Sequence, residues 1–313
     1  MQEPENDGEA LLAIANRLLP GVGRLNLERT AAGGSTPVYR IRRGGIVRYL
    51  RLAELPEASL APEALAHRLL RERGVRVPEV VHFEPFDERL QRSLMATTEI
   101  PGRPLAEHRH GVDVAAVAKA AGRDLAIING LAVDGFGWIR RDGPEGAPLA
   151  AELSTLRAFA LGDVDADIAA LSVALATDEM PAIRGAIAGH EPLLGADRAV
   201  LAHGDFDATH IYHRNGEYSG IIDFGEIRGA DPFYDLGHAA LHDGETIAEP
   251  LLPHLLAGYG EIAPLPPNHE RRIHLWSLLI GIRSLARAAR RPRSAYQVHL
   301  TQAIRRPLAA LGR

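Results

Sequence analysis

Residues 203–236 read HGDFDATHIYHRNGEYSGIIDFGEIRGADPFYDL. Two β-rich runs, 200–213 and 217–224, are separated by Asn215-Gly216, a pair that favours a tight hairpin turn. Asp205 and Asp223 fall on the two arms, so the hairpin brings two carboxylates near one another without merging them. His210 follows Asp205 by five residues, and the apolar pair Ile221-Ile222 leads into Asp223. Such a set suits chemistry in which one carboxylate takes a proton from a hydroxyl while the other holds a divalent cation against phosphate oxygens. Each member has a plainer reading alone: the acids as turn or cap residues, His210 as a core histidine. The ordered set is more specific than its parts.

The chain before this segment changes period. Residues 9–19 read as an amphipathic helix ended by Pro20-Gly21. Residues 24–30, 38–41 and 46–52 alternate as strands, with Gly44-Gly45 as the turn between the last two. A helix is expected over 62–73, with Pro62 at its start, Leu65, Leu69 and Leu70 on one face and Gly74 after it. Strands follow at 80–83 and 93–98, then a Pro101-Gly102-x-Pro104 connector. Beyond it, helices are expected at 112–131, 150–161, 165–177, 180–189, 248–258 and 271–290. The class is therefore α+β: a small antiparallel-sheet lobe over 1–101, and a larger, mainly helical lobe over 102–313 that carries the hairpin. That order suggests two lobes with a cleft, a common ligand location.

The 313 residues are 46% hydrophobic, enough for a sizeable core, with a formal net charge of -5 and no cysteine. A mild acidic excess argues against nucleic acid as a partner. The absence of cysteine excludes disulfides and thiolate metal sites. The apolar stretch 275–282 is far shorter than the roughly 18 residues of a membrane span. The opening MQEPENDGEA has neither a basic nor an apolar signal region, and a cytoplasmic location is expected.

The protein-kinase catalytic loop has the form H-R-D-x-x-x-x-N, and a D-F-G follows it. Here His203-Gly204-Asp205 is followed by His210 at the fifth position and by Asp223-Phe224-Gly225. With Asp231-Pro232-Phe233-Tyr234-Asp235-Leu236, the chain resembles the aminoglycoside phosphotransferase family over nearly its whole length. The resemblance implies a two-lobed protein-kinase-like fold, Asp205 as catalytic base, Asp223 as magnesium ligand, and structural roles for His203 and Asp235. It also implies ATP or GTP as co-substrate, a small-molecule hydroxyl acceptor, and the family's association with antibiotic resistance. His210 stands where most of the family has Asn. In this it is similar to the aminoglycoside 2''-phosphotransferases and macrolide phosphotransferases, where this His is a magnesium ligand and GTP is often used. Imidazole is an unusual ligand for a cation that prefers oxygen, so metal affinity is expected to fall in acid.

The resemblance extends to the first lobe. Residues 32–40 are similar to the family's nucleotide loop, with Ser35 and Thr36 near phosphate, although a Gly-Gly pair between strands also serves simply as a turn. Arg51 takes the usual lysine place and Glu63 the helix acid that pairs with it; an acid in a first helical turn is also favourable by itself. Arg48 points to the opposite face by strand alternation. The Thr98 carbonyl and Ile100 amide are implied to meet the purine edge.

For the acceptor, a polycation needs carboxylates, and Asp207, Glu226, Asp243 and Glu245 are the candidates, with Glu249 nearby. Asp243 and Glu245 serve equally as a solvated loop. Asp163, Asp165 and Asp167 read as helix-start acids, and Gly135-Phe136-Gly137-Trp138 as packing. A macrolide would instead use an apolar surface of the helices at 248–258 and 271–290. A nucleotide-binding pseudokinase is the alternative of a different class, supported by Arg51 and His210 and opposed by the retention of both aspartates. A protein kinase is disfavoured, because Asp231 follows Asp223 by only eight residues and no A-P-E is present.

Overall fold

The computed structural model describes residues 5–30, 36–108, 110–143, 146–292 and 294–312. Its contacts divide the chain into two units, 1–101 with 140–149, and 102–139 with 150–313.

The first unit contains α1 (Glu5–Leu18), β1 (Leu25–Arg29), β2 (Val38–Arg43), β3 (Ile46–Leu52), α2 (Ala61–Glu72), β4 (Val80–Asp87) and β5 (Arg92–Thr98). The strands form one antiparallel sheet in the order β1-β2-β3-β5-β4. Alternation sends Ile41, Leu50, Leu94 and Ala96 into a core with Ile14 and Ala15 of α1. Met95 goes the other way, to Ala64 of α2 and Leu60 just before it. Residues 140–149 count with this unit although the sequence reading assigns 102–313 to the second. The physical link is local: Ser59 N donates to the Arg141 carbonyl at 3.0 Å, and the Arg141 guanidinium reaches Glu63.

The second unit contains β6 (Arg103–Pro104), α3 (Val114–Ile128), β7 (Ala132–Val133), β8 (Phe136–Ile139), β9 (Ala151–Leu153), α4 (Leu156–Leu161), α5 (Val164–Ala170), α6 (Glu179–His190) and β10 (Ala199–Ala202). It continues with β11 (Ile211–Arg214), β12 (Glu217–Ile221), β13 (Arg228–Ala230), α7 (Tyr234–His242), α8 (Leu252–Tyr259), α9 (His269–Ala289), α10 (Ala295–Ala303) and α11 (Arg305–Leu311). Sheets of order β7-β10-β13-β8-β9 and β12-β11-β6 carry the segments around the candidate site. Trp276 of α9 is 1% exposed and centres the helical core. Its ring lies 5.0 Å from Tyr234 and 5.8 Å from Phe159. Helices α3 and α8 pack backbone to backbone at Gly122 and Gly258, where a Cβ would overlap a facing carbonyl.

Several elements differ from the sequence expectation. Residues 150–161 are not one helix. Thr155 accepts the Ala158 N–H as an N-cap, which starts α4 only at Leu156 and leaves 151–153 to pair with β8. Helix 165–177 ends early, at Ala170, and continues as a 3-10 turn. Helices α7, α10 and α11 were not expected. For α10 the signal was present, since Ser294 and Gln297 form a capping box. The hairpin is β11–β12, with Ile211 opposite Ile221. Asp205 and Asp223 therefore lie beyond its open end, one before each arm begins or after it stops, not on the arms.

Among the described residues, no helix is long and apolar enough to cross a membrane.

Candidate active site

The loop 203–210 is held from its backbone. Gly204 has φ +91, and a Cβ there would overlap the Glu226 carbonyl, so only glycine meets both demands. Asp235, fully buried in the first turn of α7, accepts His203 N and Gly204 N, each at 2.9 Å, and Asn129 Nδ2 at 3.0 Å. The His203 ring spans two segments. Its Nε2 donates to the Ile222 carbonyl at 2.8 Å, and its Nδ1 accepts the Asp205 N–H at 3.3 Å. Burial holds the His203 pKa below the ordinary imidazole value, as does the nearby His210. A neutral ring is what one donated and one accepted bond require.

His210 Nδ1 lies 2.7 Å from the Asp205 carbonyl. A carbonyl only accepts, so Nδ1 carries a proton and Nε2 is the ring atom turned toward the two aspartates. That Nε2 is 3.9 Å from Asp205 Oδ2 and 3.9 Å from Asp223 Oδ2. The carbonyl bond is the outer contact that commonly orients a ligating imidazole. Asp205, Asp207 and His210 offer ligand atoms within 4.8 Å of one another, a spacing suited to a cation, and Asp223 lies beside His210 Nε2. Asp223 is in the left-handed region, φ 65 and ψ 71, with its carboxylate accepting Gly225 N at 3.3 Å. A non-glycine residue held there is uncommon, and such positions cluster at functional sites.

His238 of α7 was not singled out by the sequence. Its Nε2 is 3.2 Å from Asp205 Oδ1 and its Nδ1 is 3.2 Å from the Phe206 carbonyl. Both partners are acceptors, so the ring satisfies both only as imidazolium. Burial would lower its pKa, but the hydrogen bond and charge of Asp205 outweigh it and the pKa is raised above 6.5. For Asp205, burial pushes up, yet His238 outweighs it and the carboxyl sits far below the ordinary 3.8. The signs set a pH window. Stabilisation from Asp205 is present above pH 3.8 and lost as acid titrates it through its depressed value. Stabilisation from His238 is complete below pH 6.5 and lost as pH rises through its raised value. The melting-temperature difference between the parent and His238→Gln is therefore expected to be largest between these two values and to shrink in alkali. A difference that grows in alkali would refute the pairing. Asp205 is 42% exposed, so solvent screens the pair.

Asp205 also lines an open pocket of about 740 Å³ in the same unit, shared with Asp207, Asp243, Glu245, Leu251 and Tyr296. Its acids are already engaged. Asp207 Oδ1 accepts Thr209 N and Oγ1, at 2.7 and 2.5 Å. Asp243 accepts Leu251 N at 2.7 Å and Leu252 N at 3.3 Å; burial raises its pKa against the pull of those donors. Glu245 lies 2.5 Å from His242 Nδ1 and 3.7 Å from His299 Nε2. Glu226 does not line the pocket; it pairs with Arg228 at 2.7 Å. Glu249 pairs with His254 at 3.4 Å. In the second acidic group, Asp163 occupies the N-cap position of α5 without a side-chain cap bond. Asp165 pairs with Arg184 and Asp167 lies 3.9 Å from Arg283.

In the first unit, Glu63 is 1% exposed. Its carboxylate lies 3.4 Å from Arg51 Nε and 2.5 Å from Arg141 Nη1. Arg51 Nη2 reaches Thr36 Oγ1 at 3.4 Å. Arg48 bonds the adjacent Val47 carbonyl. Thr98 closes β5, donating its N–H to the Glu79 carbonyl at 2.9 Å and accepting Glu79 N at 2.9 Å. Ile100 is half-buried beyond the strand. Ser35 lies outside the described residues.

A mixed fold of an antiparallel-sheet unit and a helical unit, with two aspartates flanking a hairpin, defines a phosphotransferase of the protein-kinase-like class. The phosphotransferase enzyme family, APH, has a model that matches residues 26–276, and this chain belongs to that family. No curated protein sequence matches it. Among solved structures it is similar to a thermostable mutant of aminoglycoside phosphotransferase APH(4)-Ia (N202A) in a ternary complex with AMP-PNP and hygromycin B. The TM-score is 0.69 at 16% identity, covering 95% of this chain and 98% of that one. It is also similar to the apoenzyme of macrolide 2'-phosphotransferase MphH from Brachybacterium faecium, with TM-score 0.58 at 20% identity and coverage of 95% and 97%. A candidate fructosamine-3-kinase from Thermobifida fusca gives 0.62 at 19%, covering 95% and 98%. At these identities the likeness establishes the fold.

Proposed function

We propose that this enzyme transfers the γ-phosphate of ATP or GTP to a hydroxyl of an aminoglycoside-like small molecule. One observation carries the reading: the Asp205 carboxylate borders the pocket on one side and the His210–Asp223 pair on the other. An acceptor in the pocket presents its hydroxyl to Asp205, which orients it and takes its proton. His238 keeps Asp205 ionised but weakly basic, so the proton moves late, once the oxygen has begun to bond to phosphorus. This suits a loose phosphoryl-transfer transition state. His210 Nε2 and Asp223 would hold magnesium, which supplies charge neutralisation for the phosphate oxygens. In the first unit we assign Arg51 to the phosphates and Glu63 to orienting it, with Ser35 and Thr36 in the phosphate loop and Thr98 and Ile100 at the purine edge.

For the acceptor side, an ammonium group would compete with His242 for Glu245 and supplement the contacts of Asp207 and Asp243. Among the described residues the pocket acids are already bonded, which keeps a less charged acceptor, a macrolide or a metabolite alcohol, in the test. Triphosphates as co-substrates make the cytoplasm the expected compartment.

The test is a phosphate-transfer screen of aminoglycosides, macrolides and metabolite alcohols with ATP and with GTP. Transfer to an aminoglycoside hydroxyl is the expected result; nucleotide binding without transfer to any acceptor would favour a pseudokinase. In the same assay, His210→Ala is expected to raise the magnesium concentration for half-maximal rate about tenfold or more, the usual scale for losing a ligand or its support. An unchanged magnesium dependence would remove His210 from the metal site.

A further inference from the structure

Arg228 belongs to β13 and is 6% exposed. Burying a guanidinium is costly unless its donors are satisfied. Here every partner comes from a segment that frames the site. Nη1 donates to the Gly204 carbonyl at 2.9 Å, next to Asp205, and to the Tyr234 hydroxyl, next to Asp235. Nη2 donates to Glu226 Oε2 at 2.7 Å, three residues after Asp223. The guanidinium plane covers the Trp138 ring at 4.1 Å. Gly204 and Glu226 already touch through their backbones. The same cation thus grips both sides of the point where the loop bearing Asp205 meets the turn bearing Asp223.

We infer that Arg228 is a positioning residue for phosphoryl transfer, a fork that fixes the spacing of Asp205 and Asp223. The inference rests on the reading of those two aspartates given above. Its chemistry needs arginine. The fork reaches a carbonyl, a phenol and a carboxylate at once and presents a flat face to an indole, whereas lysine offers one point charge. A role in acceptor binding is the competing account for Glu226, and it makes a different kinetic prediction: loss in acceptor KM instead of kcat.

The experiment compares Arg228→Lys, Glu226→Ala and the double variant with the parent, each checked for folding by thermal melting. For folded Arg228→Lys, kcat is expected to fall about 30- to 100-fold, the scale of an ångström-sized misplacement. Nucleotide KM should stay within about threefold, because binding is made elsewhere. Glu226→Ala should lower kcat by a smaller factor, and the double variant should lose little beyond Arg228→Lys, since both act through one contact. If Arg228→Lys does not fold, the half-exposed Glu226 variant decides. A kcat within about twofold of the parent in the folded variants would overturn the inference, as would a Glu226→Ala effect confined to acceptor KM. Amide hydrogen exchange at residues 204–206 is a readout independent of turnover: faster exchange in Arg228→Lys supports the clamp, and parent-like exchange overturns it. A parent that phosphorylates no acceptor would sink the kinase reading and leave the clamp to be judged by exchange.

Discussion

Asp205→Asn is expected to cut turnover about 10³-fold, within the usual range for losing a positioned general base. Nucleotide affinity should be nearly unchanged. The loss corresponds to about 4 kcal/mol of barrier. Asparagine keeps the size and shape of aspartate, so the loop should survive. Its backbone contacts, the N–H to His203 Nδ1 and the carbonyl to His210 Nδ1, do not depend on the side chain. Its amide oxygen can still accept from His238, although without the charge that now favours imidazolium. What disappears is the carboxylate that lines the pocket and faces His210 Nε2. Initial rates at saturating nucleotide and acceptor measure the effect, with calorimetric titration of nucleotide as the control. Turnover within tenfold of the parent would remove Asp205 from the chemistry, and lost nucleotide binding would point to collapse of the site.

How much of this was legible in the sequence depends on how far apart the interacting residues are. The hairpin and the two aspartates sit in one short segment, where the Asn215-Gly216 turn and the motif spacing pointed to them. Glu63 and Arg51 were paired by the family resemblance, and the fold brings them together. The Arg141 contact to Glu63 was not visible, since it depends on a return of 140–149 to the first unit. His238 was missed for the same reason. It meets Asp205 only because α7 runs back under the loop, and a helical histidine in an apolar stretch carries no mark of its partner. The acceptor acids were counted correctly as charges, but charge says nothing of occupancy. Asp243 is spent on the backbone of α8, Asp207 on its own turn, and Glu226 on Arg228. The missed β9 and the short α4 were decided by Thr155, whose cap was weaker in the sequence than the helical run around it.

Asp235→Ala is expected to cost about 3–5 kcal/mol of stability, the scale for removing one partner of a buried charged network. The residue is fully buried, and its two oxygens accept three donors from two separate segments. Alanine would strand the buried His203 and Gly204 amides. Asn129 Nδ2 would keep its bond to the Leu201 carbonyl at 2.9 Å and lose the other. Each orphaned buried donor costs about 1–3 kcal/mol, which brings the sum to the same range. Most proteins hold only about 5–15 kcal/mol in reserve, so this variant should melt well below the parent and express poorly. Asp235→Asn separates charge from shape. Its oxygen can serve one amide, but its NH₂ would face the other, so it should recover only part of the loss. Urea unfolding of the three proteins measures the series, and an alanine variant within about 1 kcal/mol of the parent would mean the network is dispensable. The contrast with Asp205 is the physical point. An exposed carboxylate at the pocket affects rate and spares the fold, whereas the buried one 30 residues later holds the backbone that presents it, so its loss should remove structure before any rate can be measured.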